Sequence, residues 1–223
     1  MGTGRKTSAS PQSTTPSAKF LTCALMAGVV LVMSAARDEQ PPQPSAAQAF
    51  STSARPAHSG TAAAARRAVR PLPPSDPVWL RIPAIGVDAP MTRLDLDARG
   101  KLRPPPADKP GLAGWYGDGT APGSVGTAIT TGHVDTPTGL GVLHGLGALA
   151  KGETIEIRRE DRRVAVFAVD AVEVYDKKEF PDDKVYGSSD LPELRVITCG
   201  GGYTKRTGYR GNIVVYATLT AVK

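Results

Sequence analysis

The feature that most constrains the fold is the pattern of residues 76–223, where short β-branched apolar runs are broken every few positions by Gly, Pro or Asp. Runs of that length and composition, bounded by turn formers, read as strands. They fall at 78–82, 87–91, 126–131, 154–158, 164–175, 194–199 and 213–219. Only residues 139–150 suggest a helix, and the glycines there make it a poor one. Seven or so short strands without alternating helices argue against a parallel α/β sheet and for a mainly β sandwich or barrel. The stretch is long enough for one domain with its own core.

Residues 20–36 read FLTCALMAGVVLVMSAA, a charge-free apolar run at the short end of what spans a bilayer. Arg5, Lys6 and Lys19 precede it, so the positive-inside rule assigns residues 1–19 to the cytoplasm and the bulk of the chain to the outside. A cleaved signal peptide is the alternative, because Ser34, Ala35 and Ala36 are small enough for a processing site. Residues 37–75 are rich in Pro, Ala, Ser and Gln and lack the bulky residues of a core, which predicts a disordered linker. The expected organisation is therefore a single-pass membrane protein with a cytoplasmic tail (1–19), a transmembrane anchor (20–36), a linker (37–75) and an extracellular domain (76–223).

The formal charge of +6 does not point to nucleic acid. Beyond residue 36 the chain carries 24 Lys and Arg against 21 Asp and Glu, mixed in sign along the sequence. No nucleotide or zinc motif is present, and Asp118, Asp135, Asp182 and Asp183 do not have calcium-loop spacing, so neither cofactor nor metal is expected. Trp79, Trp115 and Tyr116 read as core or groove packing, and His144 as a solvent-facing residue of the weak helix.

Of the two cysteines, Cys23 lies in the apolar run, which leaves Cys199 alone in the exported part. Such a thiol has no partner for an internal disulfide, and it is either a small core residue or a reactive group. Three segments bear on the choice. One strand ends in Thr131-Gly132-His133, another in Thr198-Cys199-Gly200-Gly201-Gly202, and Arg210 stands just before the last strand. A thiol nucleophile needs a basic or cationic neighbour, which His133 can supply. The oxyanion formed on acyl transfer needs donors, which Arg210 and the N–H groups of residues 200–202 can supply. Arg206, in the same loop, is the alternative to Arg210.

With these segments in place, the chain resembles the sortases, and among them class F. The similarity runs over residues 78–217 and is carried by LRIPAIGVDAP, GWYGDG, TTGHVDTPTGLGVL, FPDDKVYG, LRVITCGG and YRGNIVVYA. The resemblance implies a closed eight-stranded β-barrel with short helices. It implies a cysteine transpeptidase that cleaves an LPxTG-like sorting signal between Thr and Gly through a thioacyl intermediate. It further implies sorting-signal-bearing surface proteins as partners and an amine acceptor, such as a cell-wall precursor, that resolves the intermediate. Cys199 would be the nucleophile, His133 the general acid and base, and Arg210 the oxyanion and substrate clamp, with Thr131, Thr198 and Gly200 lining the groove. Two rivals remain. An L,D-transpeptidase would carry S-x-G-C-x-R at its nucleophile, which is absent around Cys199, and a non-catalytic anchored β module would bury Cys199 as an inert thiol.

Overall fold

Each of the seven expected strands forms, and the computed structural model, which describes residue 1 and residues 40–50 and 69–223, adds three more. The elements are β1 (Pro77–Ile82), β2 (Val87–Leu94), β3 (Ala113–Tyr116), β4 (Gly126–Gly132), β5 (Asp135–Thr136), β6 (Gly139–Leu140), β7 (Thr154–Arg159), β8 (Val164–Asp176), α1 (Asp182–Tyr186), β9 (Pro192–Thr204) and β10 (Gly208–Val222). Eight of these strands close a barrel in the order β1-β2-β3-β4-β9-β10-β8-β7, while β5 and β6 form a separate two-stranded sheet. Closure pairs every strand of the barrel on both sides and so removes the exposed edges of an open sheet.

Strands β4 and β9 run parallel, whereas β10 is antiparallel to both β9 and β8. The C-terminal ends of β4, β8 and β9 therefore emerge at one rim, beside the N-terminal end of β10. Four strands from distant parts of the sequence meet there.

Both faces of this four-strand region are apolar. Inside the barrel lie Ala128, Val172, Leu194, Val196, Ile213 and Val215. On the outer face Ile129, Ala171, Ile197, Val214 and Tyr216 pack with Val185 of α1 and with Leu102, Tyr116, Tyr175 and Phe180. A strand covered on both sides loses the in–out alternation of a half-exposed one, which explains the near-continuous apolar reading of 194–199 and 213–219.

Several sequence expectations are corrected. Residues 139–150 do not form a helix: they contribute β6 and a single 3-10 turn at Leu146–Ala148. Gly141 and Gly147 lie so close to other backbone that a Cβ would come 2.1 Å from the His133 carbonyl oxygen and 2.0 Å from that of Pro42. The glycines that weaken the helix serve these close approaches. His144 is half-buried, with Nδ1 donating to the Val134 carbonyl at 3.1 Å, and does not simply face solvent. The glycine tract after Cys199 belongs to β9, with Gly201 and Gly202 at φ +73° and +82° beside a register shift against β10.

The expected linker also contains packed chain. Residues 41–50 lie in the same unit as the barrel (Pro41–Lys223), with Pro41 buried. The Gln48 side-chain amide donates to the carbonyls of Gly147 and Leu149 at 2.9 and 2.7 Å, and the Gln48 carbonyl accepts from Val172 N at 2.9 Å. Phe50 meets Tyr216 edge-on with ring centroids 5.0 Å apart. Farther along, Leu72 is buried and its N–H donates to the Gly123 carbonyl at 2.8 Å. The expected tail (1–19), the anchor (20–36) with Cys23, and most of the linker lie outside the described residues. Among the described residues no helix is long and apolar enough to cross a membrane.

Candidate functional site

A ladder of threonine hydroxyls fixes β4 against β9 at the rim. Thr130 Oγ1 donates to the Arg195 carbonyl at 3.1 Å, Thr131 Oγ1 to that of Ile197 at 2.9 Å, and Thr198 Oγ1 to that of Gly132 at 2.8 Å. The parallel register pairs Thr130 with Val196 and Thr131 with Ile197, so its continuation sets Gly132 beside Thr198 and His133 beside Cys199. Two residues 66 positions apart in sequence are thereby brought side by side, His133 just past the end of β4 and Cys199 within β9, which continues to Thr204.

His133 is half-buried and its Nε2 lies 2.7 Å from the carbonyl oxygen of Pro105. A carbonyl only accepts, so Nε2 carries the proton and Nδ1 is left for other chemistry. The backbone of His133 is also pinned, because its carbonyl accepts from Leu143 N at 3.0 Å. No hydrogen bond joins His133 to Cys199.

Cys199 is half-buried and pairs across the ladder with Asn212 of β10. Its sulphur has one hydrogen-bond partner among the described residues, the Lys177 ammonium at 3.7 Å. Gly200 is buried under Ile213, where a Cβ would meet that side chain at 2.5 Å. The Gly201 N–H, expected from sequence to be an open donor, is instead taken by the side-chain oxygen of Gln43 at 3.1 Å.

Arg210 is exposed and its guanidinium passes over Gly202, where a Cβ would stand 3.7 Å from it. It lies two residues before Asn212 on β10, at the register shift between Tyr209 and Gly211. Arg206 occupies the turn between β9 and β10, beyond the bonded pair Thr204 and Thr207. Arg210 thus lies on β10, two residues from the partner of Cys199, and Arg206 lies in the turn before that strand. Next to Arg210, the Tyr209 hydroxyl donates to the Asp135 carboxylate, and the Tyr209 ring leans on Tyr203 at 5.0 Å. Burial, reinforced by that hydrogen bond, holds the Tyr209 phenol well above its ordinary range, so it remains a donor.

Of the sequence-singled acids, Asp135 binds Tyr209, Asp118 pairs with Arg93, and Asp182 and Asp183 lie in the first turn of α1. Among the described residues no cluster of His, Cys, Asp or Glu could hold a metal. Trp115 is buried with its indole N–H on the Thr120 carbonyl at 3.2 Å, Tyr116 joins the outer apolar cluster, and Trp79 packs on the surface under Arg158. Lys177, Tyr209 and Gln43 are residues around Cys199 that sequence reasoning missed, and Asp135 was weighed there only as a metal ligand. Lys177 and Gln43 sit in polar stretches with no motif around them; barrel closure carries Lys177 to the rim, and the packing of residues 41–50 against the barrel carries Gln43 there.

The arrangement holds a thiol, an imidazole and a guanidinium at one rim, at the end of an apolar outer face. Residues 80–220 match the family model of the sortase domain. No curated protein matches the chain. Among solved structures, the SrtA sortase from Actinomyces oris is similar over 68% of this chain and 87% of its own, at 18% identity and a TM-score of 0.51. Sortase A from Listeria monocytogenes is similar over 67% and 90% of the two chains, at 14% identity and a TM-score of 0.48. The Clostridium perfringens sortase D5 transpeptidase is similar over 66% and 79%, at 19% identity and a TM-score of 0.47. The Actinomyces oris likeness supports the barrel fold, and the family match covers most of the chain, so this protein belongs to the sortase family of cysteine transpeptidases.

Proposed function

We propose that Cys199 is the nucleophile of a transpeptidation that cleaves an LPxTG-like sorting signal between Thr and Gly. The observation that carries this reading is the β4–β9–β10 pairing, in which His133 follows the end of β4, Cys199 lies on the neighbouring β9 opposite Asn212, and Arg210 stands two residues before Asn212 on β10. In the first half-reaction the Cys199 thiol gives its proton to His133 and the sulphur attacks the Thr carbonyl. A C–S bond forms, the C–N bond to Gly breaks, and the departing amine takes a proton from His133. In the second, an acceptor amine attacks the thioester, the new C–N bond forms, and the sulphur is expelled while His133 receives the amine's proton. Arg210 supplies fixed positive charge to the oxyanion of both tetrahedral intermediates.

Support for the substrate's place comes from the rim of the outer apolar cluster, where half-buried Leu102, Tyr116, Tyr175 and Phe180 surround the buried Ile129, Ile197 and Val214. Those partly exposed side chains suit the aliphatic start of an LPxTG-like segment, with half-buried Thr131 nearby on β4. The quoted motifs favour class F within the family, and the apolar run at 20–36 behind three basic residues supports a membrane anchor with the catalytic domain outside the cell.

The test incubates the full chain with a library of peptides bearing LPxTG-like and scrambled signals, with and without an added amine, and reads products by mass. The expected products are cleavage between Thr and Gly and, with amine, a Thr–amine adduct, both absent for Cys199→Ala. Turnover by Cys199→Ala, or cleavage indifferent to the signal, would end this reading.

A further inference from the structure

Lys177 stands immediately after β8, where barrel closure lays the end of that strand beside the start of β10. Its placement is over-determined by backbone. Its own N–H donates to the Arg210 carbonyl at 2.9 Å, and its ammonium donates to the Tyr209 carbonyl, also at 2.9 Å. Held at both ends by β10, the ammonium has donors to spare, and one of them reaches Cys199 Sγ at 3.7 Å. The other charged or titratable groups near the sulphur are Arg210 and Tyr209 of β10, Tyr203 of β9, and His133 and Asp135 after β4, with Asp135 engaged by Tyr209.

From this geometry we infer that Lys177 is a further catalytic residue, the charge partner of the Cys199 sulphur in both half-reactions. The inference rests on the proposed role of Cys199. Twice in the cycle the sulphur carries negative charge: before it attacks the Thr carbonyl, and when the acceptor amine expels it from the thioester. In each case an ammonium 3.7 Å away offsets that charge without transferring a proton, so Lys177 is neither consumed nor acylated. His133, hydrogen-bonded to the Pro105 carbonyl and not to Cys199, remains the group that handles the proton of the amine. The division of labour is therefore charge from Lys177, proton from His133 and oxyanion donors from Arg210.

Because Lys177 is exposed, its contribution is screened and modest, on the order of a threefold to fivefold change in rate. A reagent-charge experiment isolates it. Cys199 in the full chain is alkylated with anionic iodoacetate and with neutral iodoacetamide, under conditions where the denatured protein gives the reference ratio of rates. In the wild type the folded protein favours iodoacetate relative to that reference. Lys177→Met lowers the iodoacetate-to-iodoacetamide ratio by about threefold to fivefold, and Lys177→Arg restores it. Lys178→Met, one residue on, leaves it unchanged. In 1 M salt the wild-type ratio falls toward that of Lys177→Met, since the screening length there is about 3 Å, an outcome that needs no variant. Single-turnover acylation by an LPxTG-like peptide slows by a similar factor in Lys177→Met and recovers in Lys177→Arg. An unchanged ratio in Lys177→Met, an equal effect of Lys178→Met, or a salt-insensitive wild-type ratio would overturn the inference. None of these depends on peptide cleavage, so failure here is distinguishable from failure of the sortase mechanism itself.

Discussion

Replacing Thr198 with valine tests whether the threonine ladder positions the site or only holds the barrel together. The hydroxyl is buried, with the residue 3% exposed, and donates to the Gly132 carbonyl at 2.8 Å. Valine keeps the shape and removes the donor, so the loss is one buried hydrogen bond plus the cost of a carbonyl left with one partner fewer. That amounts to about 1–2 kcal/mol, or a fall in melting temperature of roughly 2–8 °C for a domain of this size. Thr130→Val is the matched control, since Thr130 is fully buried and donates to the Arg195 carbonyl at 3.1 Å, farther from the rim. The two variants should lose similar stability. They should differ in chemistry: the Thr198 bond joins the residues immediately preceding His133 and Cys199, so its loss lets the two strand ends drift. Single-turnover acylation at saturating peptide should fall by about tenfold for Thr198→Val and by much less for Thr130→Val. Calorimetry and rapid-quench mass measurement give the two quantities. Equal rate losses in both variants, or no melting shift in Thr198→Val, would refute the assignment of a positioning role to the ladder.

Arg210→Ala should slow acylation by roughly two to three orders of magnitude, with Arg210→Lys recovering part of it and Arg206→Ala near wild type, as single-turnover rates would show. His133→Ala should be nearly as severe as loss of the thiol, read as peptide turnover, while leaving the circular dichroism spectrum unchanged. Arg159→Met should destabilise the fold by about 3–5 kcal/mol in urea titration, because a fully buried guanidinium holds Asp161 and the Pro73 and Pro122 carbonyls at the barrel end opposite the rim. The Lys223 ammonium, by hydrogen bonding, holds the Glu156 carboxyl below its ordinary value against the opposing effect of burial. A depressed carboxylate contributes stability above its unfolded pKa and loses it as pH falls through the lower folded value, so Lys223→Ala should flatten the acid limb of a stability-versus-pH curve.

The sequence was legible where one strand's own residues decide the outcome. Seven strands could be read from β-branched runs, and His133, Cys199 and Arg210 could be singled out because each ends or begins such a run. What escaped was short or borrowed. Strand β3 has four residues, Ala-Gly-Trp-Tyr, and exists because Gly114 lets it approach Leu94, where a Cβ would come 2.1 Å from that side chain. Helix α1 has five residues, stabilised by packing Val185 on the outer cluster more than by any periodicity of its own. The positive φ of Gly201 and Gly202 serves turns and β-bulges alike, and only pairing with β10 distinguishes them.

Placing Arg210 on β10 and Arg206 in the turn before it, finding Lys177, and seeing Gln43 on the Gly201 N–H all required tertiary structure. Each depends on how β8, β9, β10 and residues 41–50 are laid beside one another, a matter of long-range register that no local pattern encodes. Composition and periodicity alone determined that this chain builds a β-rich domain with a lone thiol at a strand end. Barrel closure decided which charges surround that thiol, because hydrogen-bonded pairing between strands far apart in sequence, and not proximity along the chain, sets the neighbours of a side chain at the rim.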